Sequence, residues 1–355
     1  MSDINTRKIS SKEATWFLII LFVSKILFAD INEYINFSGT AAYMQTAWCA
    51  ALALVFFWVT AYIADGDDIF SASYAALGNI GMKSVGILIS VLLIFDAGVM
   101  FRVYADIIAS IVLPDSADFF IMILLVAAAG FAAFAGVGTL ASYSYAAGII
   151  LVASLAIILV LNIPNYSLTN IYPLLGNGGD KILSGVGGIN VYADIFLLFL
   201  MSVYLKKDES VRKSGIKAII ISGVVITATT FLYILTVPYP ASSGFALPIL
   251  EIAFDVNLDV IFQRAEGLFL FLWIFSGFIL TGAYISFSVL SFERTFNLSD
   301  RRAVIGVFLL IAACIALCAD TSSLQSGVYT WFYKIFTGVA FILPFLVFSI
   351  KRLRR

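Results

Sequence analysis

The chain contains no histidine and only three cysteines in 355 residues. Without imidazole, the commonest metal ligand and the usual proton relay near neutral pH are both missing, so any proton handling falls to carboxylates, tyrosines or lysine. Cys49, Cys314 and Cys318 all lie within apolar stretches. They form neither a disulfide framework nor a metal-ligand set, and they read as small packing residues. Neither a metal nor a cofactor is expected. With no histidine and no paired catalytic motif there is no recognisable reaction centre, so the chain is not expected to be an enzyme. Charge is scarce as well: 12% of the residues are charged, where a soluble chain carries about a quarter, and 62% are hydrophobic. Water is not the main solvent of such a chain.

The mean hydropathy of +1.03 comes from repeated apolar runs of about 20 residues, the length needed to cross roughly 30 Å of hydrocarbon. Lipid offers no hydrogen bonds to the backbone, so these runs must be helices. Spans are expected near 14–36, 43–63, 84–112, 118–136, 139–163, 181–205, 214–237, 259–292, 302–319 and 329–350. The first follows Arg7, Lys8 and Lys12 without a small-residue cleavage site and reads as a retained span. Between the spans, the stretches 64–83, 164–180 and 238–258 are polar links, and 245–254 reads as a short helix at the outer face. All three are too short for a separate soluble domain.

Lysine and arginine in short loops resist translocation and collect on the cytoplasmic side. If the N-terminus lies inside, the cytoplasmic segments hold sixteen basic residues, from Arg7 to Arg355, and the outer loops hold only Lys181. An odd number of spans would place the basic C-terminal run outside. Ten spans with both termini cytoplasmic is therefore the expected topology of this multi-pass cell-membrane protein. The net charge of −1 leaves no basic patch for nucleic acid, because the cations are used up as topology determinants. The lipid bilayer is the one partner that composition alone demands.

A charged side chain at mid-span costs at least ~2.5–3.5 kcal/mol, so each one asks for a partner, a cavity or a function. Lys25, Asp96 and Asp194 lie near the middle of the first, third and sixth spans. Arg102 and Asp106 are four apart on one helical face and most simply neutralise each other. Arg264 and Glu266 point to different faces and need partners elsewhere, such as Glu251. Lys334, flanked by Tyr329, Trp331 and Tyr333, reads as a lysine snorkelling into an aromatic belt. The sixth span carries Gly185, Gly187 and Gly188 a few residues before Asp194, which predicts an interrupted helix; close helix packing is the alternative use of those glycines. Discontinuous helices in transporters present free backbone groups to a ligand, and such breaks recur in two inverted halves. In a five-plus-five division the partner of the sixth span is the first, whose interruption is Ser24-Lys25. The string Gly136 to Ala141 links two spans, with no preceding strand, and reads as a tight turn, not a nucleotide site.

Several stretches together resemble the integral-membrane B subunit of GerA-type spore germinant receptors, a branch of the amino acid-polyamine-organocation transporter superfamily. The run from Asn162 through Pro164, Asn170, Pro173 and Gly176-Asn177-Gly178 into the broken sixth span is similar to the family's, and Asp194 matches its acidic residue after the break. Arg102 with Leu113-Pro114, the segment 245–252, and 262–279 with Arg264 and Trp273 extend the likeness over most of the chain. Lys25 stands where the family usually has a small residue or glycine.

The resemblance implies an all-α membrane protein, a single integral membrane domain of ten transmembrane helices. These form two inverted five-helix repeats of LeuT-like type, about 14–163 and 181–350, with helices 1 and 6 discontinuous. It further implies a nutrient receptor subunit in the inner membrane of the spore, binding an amino acid-like solute and contributing to ion release. Two companion subunits, a soluble-domain membrane subunit and a lipoprotein, would accompany it. A stand-alone secondary amino acid transporter is the alternative within the same fold. In that fold Lys25, Asp96 and Asp194 would converge with Ser24, Gly185, Gly187 and Gly188 as the ligand site, while Arg102, Asp106, Arg264 and Glu266 would be structural or gating charges. The alternative for Lys25 is a permanent pair with one aspartate that only holds helices together.

Overall fold

The first helix begins with a reciprocal cap. The Glu13 N–H donates to Ser10 Oγ (3.3 Å), and the Ser10 N–H donates to the Glu13 carboxylate (2.7 Å), so two end groups that would otherwise lack partners are satisfied. From there α1 runs Ser11–Lys25, and a second short helix, α2, occupies Ile31–Ser38. The computed structural model describes residues 7–26, 31–113, 117–206, 209–245, 248–249, 252, 265–298, 300–319 and 327–354, without the side chains of 111, 265–269 and 327–330. The short outer helix expected at 245–254 falls largely outside these residues, as do Arg264, Glu251 and the side chain of Glu266.

Beyond α2 come α3 (Ala42–Ala64), α4 (Ile69–Ile111), α5 (Asp118–Ala135) and α6 (Val137–Leu161). The sixth span is α7 (Gly179–Ser184), a 3-10 segment Val186–Phe196, and α8 (Leu197–Met201). The remainder is α9 (Val211–Thr236), α10 (Ala265–Phe296), α11 (Arg302–Cys318) and α12 (Gly327–Leu353). Eight helical stretches among the described residues are long and apolar enough to cross a membrane, and Arg302–Cys318 is a shorter apolar helix. The 15-residue α1 is about 22 Å long at 1.5 Å per residue, so the first span needs α2 as well. Counted this way the described residues hold ten candidate crossings, as expected, and the sixth is discontinuous.

Two boundaries differ from the sequence reading. The third span was expected at 84–112 behind a polar link; the link itself holds a helical segment from Ile69 to the kink at Gly78, and the spanning helix follows it. The Asp68 side chain caps that segment by accepting from the Phe70 N–H (2.7 Å), and Ile69, Phe70, Ala72 and Ala76 form a buried stripe. Gly78 (φ 73°, ψ −170°) then breaks the helix before it enters the span. The second difference is in the first span, where Ser24-Lys25 is the last helical turn and not the interruption. Ser24 Oγ bonds back to the Ile20 carbonyl (2.6 Å). The turn at Gly136 is as expected: its φ of 86° lets α5 stop at Ala135 and α6 start at Val137, with one residue between them, a conformation glycine adopts without strain.

Small residues bring the helices around the centre close together. A Cβ on Gly86 of α4 would collide with Thr295 of α10, and one on Gly277 of α10 with Tyr104 of α4. Ser90 Oγ donates to the Ser288 carbonyl (3.0 Å) and Ser291 Oγ to the Gly86 carbonyl (2.9 Å). Such close approach with serine cross-links is how helices associate in lipid, where no hydrophobic force drives them together. It fixes the register of α4 against α10. At one end of the bundle the chain before α1 clamps onto the end of the sixth span: the Ile9 N–H donates to the Tyr204 carbonyl (2.8 Å) and the Lys206 N–H to the Ile9 carbonyl (3.1 Å). A cavity of about 930 Å³ opens beside this clamp, where Lys351 of α12 pairs with Asp67.

Candidate functional site at the helix breaks

The sixth span is interrupted where its glycines cluster. Gly185 leaves helical geometry (φ −71°, ψ 33°) and the chain continues as a 3-10 segment through Phe196. Losing the α-helical ladder frees carbonyls inside the bundle, and a bare carbonyl there is costly. Side chains satisfy them. Gln45 Nε2 donates to the Gly185 carbonyl (2.9 Å), with Cys49 Sγ 3.4 Å from the same oxygen. The Tyr34 hydroxyl donates to the Gly188 carbonyl (2.5 Å). Thr337 Oγ1 of α12 donates to Asn190 Oδ1 (2.9 Å). The break is thus a built feature, clamped by α2, α3 and α12. Gly188 and Gly185 are glycine because a Cβ would collide with Tyr34 and Gln45 respectively, whereas a Cβ on Gly187 would meet nothing.

Immediately beyond the break the buried charges meet. Lys25 Nζ, at the last turn of α1, lies 2.9 Å from Asp194 Oδ2, and their side chains are 4% and 0% exposed. The Tyr284 hydroxyl of α10 reaches both oxygens of Asp194 at 3.1 and 3.2 Å. The ammonium also sits 5.9 Å from the centre of the Tyr284 ring and 5.6 Å from that of Phe336 on α12, an aromatic surround that favours a desolvated cation.

Asp96, from α4, is also fully buried and lies within electrostatic reach of Lys25 and Asp194. Neither of its oxygens has a hydrogen-bond donor among the described residues. The Tyr284 hydroxyl lies close to both acids and makes well-formed hydrogen bonds to Asp194. Five spans thus converge on one closed cluster: the first, third, sixth, eighth and tenth.

The structure therefore brings Lys25, Asp96 and Asp194 together at the break, with Gly185 and Gly188 at its edge. Ser24 is buried beside Lys25 but turns its hydroxyl proton to its own helix. Arg102 and Asp106 form the expected i, i+4 pair (2.9 Å), and Arg102 also approaches Asp118 (3.8 Å). Lys334 rests on the Trp331 ring (5.1 Å), matching its reading as an aromatic-belt lysine. Sequence reasoning did not single out Tyr284, Phe336, Tyr34 or Gln45. A tyrosine in an apolar run carries no signal of its own, and only its hydroxyl contact selects it. Among the described residues no group of histidine, cysteine and carboxylate side chains is arranged to hold a metal.

The family model described as spore germination protein matches residues 8–324. The chain belongs to the spore germination protein family. No curated protein matches it in sequence. Among solved structures, this family member is similar to a nucleobase-cation-symport-1 family transporter, Mhp1, in a closed conformation with bromovinylhydantoin bound (14% identity, 94% of this chain and 78% of that one, TM-score 0.64). It is similar also to a Na+-coupled sialic acid symporter in a substrate-bound outward-open state (11% identity, 94% and 78%, TM-score 0.66). A third is MhsT in complex with L-phenylalanine (14% identity, 94% and 87%, TM-score 0.58). At such identities the likeness establishes the fold: the germination protein is a membrane permease-like, LeuT-like helical protein.

Proposed function

We propose that this chain is the integral membrane subunit of a spore germinant receptor, which recognises a small nutrient such as an amino acid and contributes to ion release during germination. The observation that carries the reading is the family match over residues 8–324, together with a closed cluster of opposite charges placed where the sixth helix breaks. Lys25 offers an ammonium to a ligand carboxylate, Asp96 adds a buried carboxyl group, and Ser24, Gly185, Gly187, Gly188 and Asp194 complete the proposed site around the helix break. Charge recognition of this kind binds a solute and does not transform it. The companion subunits are a soluble-domain membrane subunit and a lipoprotein. Both termini face the cytoplasm, as the asymmetry of the basic loops requires. Labelling of Leu353→Cys by an impermeant maleimide in a cysteine-free background tests this, and reaction from outside overturns it.

Stand-alone amino acid transport is the second reading, and it is favoured by the solved relatives being transporters. Two measurements separate the two. Spores lacking this gene should lose their response to one amino acid in a panel of the common twenty and regain it on complementation. The purified chain in liposomes should take up none of the same labelled amino acids. Uptake by the chain alone overturns the receptor reading.

A further inference from the structure

We propose that Asp96 is a proton-binding site, carrying its proton while the cluster is closed and exchanging it when the cluster opens. The proposal rests on the reading of this cluster as the working site. Charge count is the first argument. Lys25 supplies one ammonium, and that ammonium is in contact with Asp194, 2.9 Å away. Asp194 also takes the Tyr284 hydroxyl. The second carboxyl, Asp96, is equally buried and receives no donor among the described residues. An ionised carboxylate in that setting has neither a counter-ion of its own nor a hydrogen bond, and such a group takes up a proton instead of remaining charged.

The groups facing it from the surrounding elements support this count. Lys25 comes from α1, Asp194 from the 3-10 segment, Tyr284 from α10 and, behind Tyr284, Tyr333 from α12. From α5 the nearest acid is Asp118, which approaches Arg102 at the far end of α4. The cysteines of α11, Cys314 and Cys318, face outward. The chain has no histidine to take the role.

The arrangement also gives the proton a consequence. Lys25 is a cation tethered to the protein, and its ammonium balances Asp194. When ligand binding opens the Lys25–Asp194 contact and admits water to the cluster, water supplies the donors that Asp96 lacks and its proton passes to that water, COOH and H2O becoming COO− and H3O+. Ligand binding and proton release are thereby linked.

Infrared difference spectroscopy on the purified full-length chain tests this without needing the ligand. At neutral pH the wild-type minus Asp96→Asn spectrum should show the carbonyl stretch of a protonated buried acid, shifting down in D2O. Asn has the shape of the neutral acid, so the variant should fold and yield a clean difference. In Lys25→Met a second such band should appear, lost again when Asp194→Asn is added. Absence of the Asp96 band in the wild type overturns the proposal. So does its disappearance on replacing choline with sodium, which would show that a metal ion occupies the place assigned to the proton. Either failure leaves the receptor reading intact, because that reading is decided by germination and uptake.

Discussion

Replacing Lys25 by methionine keeps the length and apolar stem of the side chain and removes only the ammonium. Asp194 is then left fully buried with the Tyr284 hydroxyl as its remaining donor. Breaking a buried ion pair from one side costs about 3–5 kcal/mol. Asp194 can relieve the stranded charge by taking up a proton while keeping the Tyr284 hydroxyl as a partner, which sets the expected loss near the low end, about 3 kcal/mol. In a chain of this size that lowers the apparent melting temperature by roughly 6 °C at about 2 °C per kcal/mol. Asp194→Asn should cost less, about 1–2 kcal/mol, because Asp96 remains within reach of the stranded ammonium and can ionise to meet it. The double variant Lys25→Met/Asp194→Asn removes both charges and should fall within about 1 kcal/mol of wild type. The assay is thermal unfolding of the detergent-solubilised protein, followed by loss of the monodisperse peak, for all four members of the cycle. Simple additivity of the two single losses would refute the reasoning: it would mean that the two charges do not compensate each other, and the site would lose its central contact.

The glycines of the broken helix should separate sharply under substitution. Gly187→Ala is expected to be neutral to within about 0.5 kcal/mol, since a Cβ there meets nothing within 4 Å. Gly188→Ala should cost about 1–3 kcal/mol from overpacking against Tyr34, with thermal unfolding as the measurement and equal behaviour of the two variants as the refuting result. The clamp before α1 should loosen in acid. Burial raises the Glu13 pKa, but the Ser10 N–H, the Ser142 and Ser10 hydroxyls and Arg7 outweigh it and hold the carboxyl below its ordinary value. A depressed folded pKa means stability that is present above the unfolded pKa and lost as pH falls through the folded one. The protection factors of the Ile9 and Lys206 amide protons should therefore fall below the usual carboxylate range. Glu13→Gln should show about 1 kcal/mol of the same loosening at neutral pH, and pH-independent protection factors in the wild type would contradict the assignment.

How much of this was legible in advance follows from what each residue costs to place. Lys25, Asp96 and Asp194 stand out because a charge in an apolar run is expensive wherever it ends up, so the sequence announces it before any contact is known. Gly185, Gly187 and Gly188 stand out because three helix-weakening residues in four positions oppose the run around them. Tyr284 and Phe336 cost nothing in their runs, and with 16 tyrosines and 32 phenylalanines in the chain nothing but the fold can select them. The beginning of α4 was hidden for a different reason. Its buried stripe is short, and Gly78 breaks the helix between that stripe and the span, so the segment reads as part of a loop. The pairing within the cluster was the least legible part. Two aspartates at similar depth are equivalent partners for one lysine until the fold places Lys25 Nζ 2.9 Å from Asp194. That contact, with the Tyr284 hydroxyl bonds to the same carboxylate, makes the two acids unequal: it stabilises the charge of one, and the proton proposed above falls to the other, which turns a set of helix-binding charges into a site with a state to change.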